Sequence, residues 1–324
     1  MQETKYTNED LKIMQAWPLE RKIQVTQTRI MEWYQHYDGN VYVSFSGGKD
    51  STVLLDLARR IYPDIEAVFV DTGLEYPEIK QFVKSKENVT ILRPKMVFDD
   101  VVRKYGYPII SKSIAQCIRE AKPGNAMWKL LHGEYTRSDG KPSLYNCKKW
   151  AYVKDADFKV SEQCCDVMKK RPFKAYEKES KKIPITGVMA TESLTRKQHW
   201  LKNGCNAFDG TRPQSKPISF WTEQDILGYI KRFNIPYASV YGEIRKDENG
   251  KFHTTKCDRT GCVFCGFGCH REKEPNRFQR LKETHPKLYN YCINGGGYNE
   301  EGKWEPNKKG LGMGHVLDAI NTKY

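Results

Sequence analysis

The chain has 324 residues, 39% of them hydrophobic and 29% charged, with a formal net charge of +14. At about 150 residues per domain this is roughly two domains' worth of chain. A content of 12% aromatics excludes a disordered or low-complexity chain, and no apolar run approaches the ~20 residues of a membrane helix.

The N-terminal stretch Met1–Lys12 has no apolar core and does not read as a secretory leader, which predicts a cytoplasmic protein. Residues 8–37 carry Leu11, Met14, Trp17, Ile23, Thr26, Ile30 and Trp33 at roughly helical spacing, with Pro18 as a break. They predict an N-terminal helical segment over 1–38. The apolar run 40–45 predicts a buried strand, which ends in Ser46-Gly47-Gly48-Lys49-Asp50-Ser51-Thr52. Val53, Leu54, Leu57, Ala58 and Ile61 then predict an amphipathic helix. The pattern repeats with a strand over 65–71, a helix over 77–86, and strands over 89–92 and 183–189. Such alternation predicts an α/β fold, a Rossmann-like parallel sheet with helices on both faces. Residues 105–163, with Gly106, Pro108, Pro123, Gly124, Gly133, Gly140 and Pro142, break the alternation. They predict a basic helical and loop insertion within a domain spanning 39–241. Residues 242–324 are rich in Gly, Lys, Cys and aromatics and predict a Cys-rich C-terminal region.

The charge is uneven: 25 Lys and Arg against 21 Asp and Glu over residues 1–160, and 29 against 19 over 161–324. The second half favours an anionic partner, nucleic acid or a polyphosphate, over the alternative of a merely solvated lysine-rich surface. Trp200, Trp221, Phe252, Phe264, Phe267 and Trp304 stand among its basic residues and suit a nucleic acid.

The glycine-rich loop between strand and helix lets backbone N–H groups approach an anion, with Lys49 adding charge and Ser46, Ser51 and Thr52 adding hydroxyls. Its spacing matches neither a Walker loop nor G-x-G-x-x-G. Ser-Gly-Gly-x-Asp-Ser after a strand resembles the PP-loop of ATP pyrophosphatases, in the adenine nucleotide alpha hydrolase superfamily. The resemblance implies ATP and Mg²⁺ as ligands, attack at the α-phosphate, and an adenylylated product plus pyrophosphate. It implies nucleotide contacts at Ser44, Ser46, Gly47, Gly48, Lys49, Asp50, Ser51 and Thr52. Lys49 would hold the leaving pyrophosphate and Asp50 the cation.

Val70–Pro77 resembles the segment that the phosphoadenosine phosphosulfate (PAPS) reductase branch places beside the nucleotide, implying Asp71, Thr72 and Gly73; the alternative is a plain β–turn–α connection. Gly187-Val-Met-Ala-Thr-Glu192-Ser193-Leu-Thr-Arg196 resembles a Gly-x-Arg-x-x-Glu-Ser-x-x-Arg stretch of that branch, implying Glu192 and Arg196. Met189 stands where an arginine is usual, so one anion contact is missing or comes from Lys197. Pro217–Ile230 resembles a proline-led strand entering a helix capped by Thr222 or Ser219, a structural role.

The ten cysteines of a chain without a leader favour metal or redox chemistry over disulfides. Cys164-Cys165 form a vicinal pair, and Cys257-x4-Cys262-x2-Cys265-x3-Cys269 a second group, in which Cys262 and Cys265 have a chelating spacing. A vicinal pair followed by a C-x2-C pair 97 positions on resembles adenosine phosphosulfate (APS) reductase. The resemblance implies a 4Fe-4S cluster on Cys164, Cys165, Cys262 and Cys265. The alternative is a local zinc on Cys257, Cys262, Cys265 and Cys269. Cys117, Cys147, Cys205 and Cys292 have no role legible from the sequence.

The intact phosphate loop favours ATP over a sulfonucleotide, whose reductases resemble this chain but have degraded loops and a mobile C-terminal nucleophilic cysteine. The last cysteine here is Cys292. The expectation is an ATP-dependent, pyrophosphate-releasing enzyme of sulfur transfer to a nucleic acid or nucleotide, similar to DndC-like proteins and cluster-bearing tRNA thiolation enzymes, with a sulfur-donor protein as a further partner. The alternatives are a sulfonucleotide reductase using Cys292 or Cys269, and a non-catalytic sensor or defence subunit that binds ATP and nucleic acid.

Overall fold

The computed structural model describes residues 4–209 and 212–324; the first residues of the expected leader-free N-terminus lie outside them. The chain divides into two compact units. The first comprises Met1–Asp71, Glu75–Arg93 and Phe173–Gly261, the second Thr72–Leu74, Pro94–Pro172 and Cys262–Tyr324.

In the first unit, helices α1 (Asn8–Gln15) and α2 (Leu19–His36) flank Pro18. Thr7 and Asp10 close a capping box at the start of α1. A four-residue strand β1 (Val41–Ser44) leads to α3 (Lys49–Arg59), then β2 (Ala67–Val70), α4 (Pro77–Lys84) and β3 (Val89–Leu92). The sheet continues on the other side of β1 with Ile183–Thr186, Gln214–Ser215 and Asn206–Ala207. Every pairing is parallel except the last, which is antiparallel. β2 is buried along its whole length and β1 over its first three residues. That explains their uninterrupted apolar sequences, since a parallel strand is covered on both faces. The core joins Trp33, Val43, Leu54, Phe69, Ile185 and Trp221.

The chain leaves β1 toward β2 on one side and returns to pair at Ile183–Thr186 on the other. The sheet order therefore reverses at β1, and the crevice beyond its C-terminal end is where α/β sheets bind ligands.

The segments expected at 1–38, 39–241 and 242–324 do not coincide with the two units. Ile30 and Trp33 of α2 belong to the core of the first unit. The hairpin Ile244–Lys246/Phe252–Thr254 stays with that unit because Ile244 and Phe252 pack into the same core. The strand expected after Pro217 is absent: Ser219 N–H bonds back to Lys216 O (2.9 Å) and Trp221 N–H to Ile218 O (3.0 Å), making tight turns. The strand of that region is Gln214–Ser215, ahead of a proline that has no N–H to give a ladder. Thr222, not Ser219, caps the following helix Glu223–Arg232 in a capping box with Asp225.

The second unit holds helices Lys112–Glu120, Ala126–His132, Arg277–Thr284, Pro286–Ile293 and Met313–Ala319. Its chain segments are tied by short pairings. Ile109–Ile110 runs parallel to Gly266–Phe267, Tyr107 bridges Val160, and the Tyr107 hydroxyl donates to Leu311 O (2.7 Å). Gly266 lets the two chains close, because a Cβ there would lie 2.9 Å from Ile109 Cγ2.

Candidate nucleotide loop and thiol centre

The loop after β1 is built around Ser51. Ser46 N–H donates to Ser51 Oγ (3.2 Å), the two hydroxyls stand 3.0 Å apart, and Ser51 Oγ donates to Gly48 O (2.9 Å). Thr52 Oγ1 donates to the same carbonyl (2.9 Å). Gly48 occupies the N-cap of α3 without any side-chain cap; the Lys49 amide is taken by Tyr241 Oη (3.3 Å), and the helix start otherwise lacks a capping side chain. Gly47 has φ +71°, and a Cβ there would lie 2.8 Å from Ile79 and Val83 of α4. Gly47→Ala should therefore destabilise the protein by about 1–3 kcal/mol in urea denaturation, from overpacking and the left-handed backbone together. Gly187, just past Ile183–Thr186, lies tightly against the helix start: its Cβ would stand 3.2 Å from Ser51 Cα.

Asp50 is half-buried; its Oδ1 is fully buried and has no hydrogen-bond partner among the described residues. Burial pushes its pKa up, opposed by the nearby charges of Lys49, Arg259 and Arg196. A buried carboxylate oxygen without a donor, beside an uncapped helix start, suits a cation or a cation-bound phosphate.

Arg196 pairs with Glu192, whose Oε2 also accepts the Met189 N–H (2.9 Å). Arg259 stands 3.9 Å from Glu192 Oε1. Burial and the neighbouring Arg259 charge lower the Arg196 pKa, and burial with Arg196 brings Lys216 down to about 8. Arg196 thus has two further cations, Arg259 and Lys216, in its neighbourhood, with Glu192 pairing Arg196 and standing near Arg259, an arrangement that an anionic ligand would relieve. Met189 is buried in the core, and the cation near Glu192 besides Arg196 is Arg259.

Lys49 does not hold its ammonium free for a ligand. The residue is 4% exposed. It ion-pairs with Glu223 (2.7 Å), donates to Asp258 O and lies over the Tyr241 ring. Tyr241 Oη accepts the Lys49 N–H (3.3 Å) and bonds Thr260 (3.1 Å). Ser44 sits at the end of β1, paired with Val68 and Thr186. Asp71 follows β2 and pairs with Lys80 (2.7 Å). Thr72 and Gly73 belong to the second unit, where Thr72 Oγ1 accepts the Leu74 N–H (3.2 Å) and Gly73 has φ +79°, a turn geometry.

In the second unit, Cys164, Cys165, Cys262 and Cys265 line one pocket with Leu74, Phe98, Pro108, Met168 and Lys169. Cys164 and Cys165 open a helix that passes through a π-helical turn over Asp166–Lys170. Cys262 and Cys265 form a turn closed by Cys265 N–H to Cys262 O (3.1 Å). The Cys164 thiol donates to Cys165, which together with Lys112 and Lys169 holds Cys165 down to about 5; sharing that proton and burial hold Cys164 high. Arg277 donates to Cys265 O (2.8 Å), adding a third cation beside the thiols.

Among the described residues, no three His, Cys, Asp or Glu side chains stand close enough to hold a single metal ion. A tetrahedral zinc would draw its sulfurs to about 3.8 Å from one another. Four thiols around a shared pocket, with lysines nearby to stabilise negative charge, fit a larger thiolate-ligated cluster. Cys257 donates to Arg259 O (2.9 Å) and packs against the core of the first unit; Cys269 is buried and donates to Gly266 O (2.9 Å). Cys117 and Cys147 lie 3.9 Å apart, and each bonds a carbonyl. Cys205 and Cys292 are buried, and all ten cysteines are free thiols.

Arg259, Lys216, Tyr241, Lys112 and Arg277 escaped the sequence reading. Arg259 alone carried a signal, because it lies inside the cysteine group between Cys257 and Cys262.

The model of the phosphoadenosine phosphosulfate reductase domain family matches residues 40–120 and 141–267, and the chain belongs to this family. An uncharacterized protein of Methanocaldococcus jannaschii is 26% identical over 283 residues, covering 85% of this chain and 52% of that protein. The adenosine 5′-phosphosulfate reductase of Staphylococcus haemolyticus is 24% identical over 216 residues, covering 66% of this chain and 70% of that one. The phosphoadenylyl-sulfate reductase of Candida auris, solved as a phosphate complex, superimposes with a TM-score of 0.39 at 15% identity, covering 76% of this chain and 97% of that one. The chain spans about half the length of the M. jannaschii relatives it matches, 52% and 42%. No described helix is long and apolar enough to cross a membrane.

Proposed function

We propose that this chain is an ATP-dependent enzyme of sulfur transfer that binds ATP at Ser46–Thr52, adenylylates an oxygen of a nucleic acid or nucleotide, and releases pyrophosphate. The observation that carries this reading is the loop itself: an uncapped helix start, and a buried Asp50 oxygen without a partner. The acceptor oxygen attacks the α-phosphorus, the bond to the bridging oxygen breaks, and pyrophosphate departs. The amides of Gly47 and Gly48 and the hydroxyls of Ser46 and Ser51 orient the phosphates. Arg196 and Arg259 stabilise the charge on the leaving group. Lys49 acts as a positioning residue, fixing Tyr241 and Glu223 against the helix start. Asp50 would hold Mg²⁺, which neutralises phosphate charge when bound.

Cys164, Cys165, Cys262 and Cys265 would hold a 4Fe-4S cluster, which when bound offers a site for sulfur. Hydrosulfide, sulfur already at the sulfide level and delivered by a donor protein, then attacks the activated carbon: a carbon–sulfur bond forms as the carbon–oxygen bond breaks and adenylate leaves. Ten free thiols suit the reducing cytoplasm.

Incubation of the anaerobically prepared protein with ATP and candidate acceptors tests this reading. Pyrophosphate release is expected, and Arg259→Ala should raise the KM for ATP by about tenfold, the scale of a charge-assisted hydrogen bond. ATP binding without pyrophosphate release under any acceptor would favour the sensor reading.

The second reading, sulfonucleotide reduction, draws on the reductase among the relatives. It needs a thiolate nucleophile, and burial raises the Cys269 thiol to about 11 and pushes Cys292 up as well. Sulfite formed from a sulfonucleotide and a thiol would restore it.

A further inference from the structure

Residues 121–140 fall outside both stretches matched by the family. The segment around them carries a surface that neither proposed site uses. The helix Ala126–His132, capped by Asn125, is followed by a loop that folds back onto it. Cys147 N–H donates to Leu130 O and Ser143 N–H to Tyr135 O, both at 2.9 Å. The Asn146 side chain donates to Gly133 O and Tyr135 O, both at 3.1 Å. This anchored loop holds Leu144 and Tyr145 outward, 89% and 79% exposed, and Tyr135, whose carbonyl accepts the Ser143 N–H, is exposed as well. Large side chains pinned in water mark a surface that meets a partner.

The charge around these rings is one-sided. Residues 126–149 hold five Lys and Arg against two acidic side chains. Asp139 is already paired with Arg137 (3.0 Å). Lys129, Lys141, Lys148 and Lys149 are exposed and make no ion pair among the described residues.

We propose that this face of the second unit binds a single-stranded nucleic acid, with bases stacked on Tyr135 and Tyr145 and phosphates neutralised by Lys141, Lys148 and Lys149. Rings interleaved with unpaired cations are the recognition chemistry of an unpaired strand, whose bases are free to stack. An acidic protein would use the lysines but leave the rings unexplained. That this strand presents the acceptor rests on the function proposed above; the binding itself does not.

The test is fluorescence anisotropy of the whole chain with an end-labelled oligo-dT of about 12 nucleotides. The doubles Leu144→Ala/Tyr145→Ala and Lys141→Glu/Lys148→Glu should each weaken binding about tenfold, and the second should also flatten its salt dependence. Tyr145→Trp should retain the affinity. On the unmodified protein, the oligonucleotide should shield Lys141, Lys148 and Lys149 from acylation, a readout free of any folding defect. The proposal is overturned by absent binding, by unprotected lysines, by equal affinity for a duplex, or by displacement with polyglutamate as readily as with oligonucleotide. Binding without pyrophosphate release would remove the proposed reaction and leave this surface standing; release without binding would do the reverse.

Discussion

Anaerobically purified protein is expected to be brown and to carry about four iron and four sulfide per chain, and Cys164→Ser, Cys165→Ser, Cys262→Ser or Cys265→Ser should each lose most of both. The reason is positional: these four thiols line one pocket, and Lys112 and Lys169 already favour the thiolate form of Cys165. A serine oxygen is a poor replacement for a soft sulfur ligand. Cys257→Ser and Cys269→Ser should keep the metal, because each thiol is committed to a carbonyl elsewhere. Chelation should also lower the melting temperature, since metal bound by the folded chain adds to folding free energy. Iron and sulfide assays, with the visible spectrum, check the expectation. One zinc per chain, lost from Cys257→Ser and Cys269→Ser, would replace the cluster with the local zinc alternative.

Asp50→Asn should lower pyrophosphate release by about a hundredfold or more, the scale of losing a charge aimed at the reacting phosphates, and should at the same time stabilise the protein without nucleotide. The two effects share one cause. Burial raises the carboxyl's pKa in the folded state. The folded chain therefore binds this proton more tightly than the unfolded chain does. Stability falls as pH rises from the ordinary carboxylate range through the raised pKa, and the full penalty remains above it. The neutral asparagine avoids that loss, worth about 1–3 kcal/mol for a buried group without a partner. Thermal melts at pH 4 to 8 should show Asp50→Asn gaining on the wild type as pH rises. A variant less stable than wild type across that range would mean that the carboxylate is satisfied in the folded protein. Unchanged pyrophosphate release would remove Asp50 from the site.

Local order in this chain was written in short-range patterns. The apolar runs before Ser46 and around Ala67–Val70 and Val89–Leu92, with the intervening helices, follow from neighbours in sequence, and the α/β class follows from their alternation. The strand–turn–helix around Ser46–Ser51 was equally legible, because the motif is local: Phe45–Gly48 make the turn after β1, and Lys49, Asp50 and Ser51 open α3. The segment after Pro217 misled for the opposite reason. An apolar run led by proline is compatible with a strand, and only the hydrogen bonds to Lys216 and Ile218 select turns.

What tertiary structure alone decided lies in contacts between residues far apart in the chain. Lys49 reads as a phosphate ligand in the motif, yet its ammonium is held by Glu223 and Asp258, more than 170 positions away. Arg259 and Lys216 reach the neighbourhood of Arg196 from separate segments. The division into units follows the same rule. Ile109–Ile110 pairs with Gly266–Phe267, so the insertion and the last sixty-three residues form one body, while Ile244 and Phe252 remain with the other. Periodicity records which face of an element is buried; it does not record which distant element covers that face, because that choice depends on shape and charge matching across the folded chain.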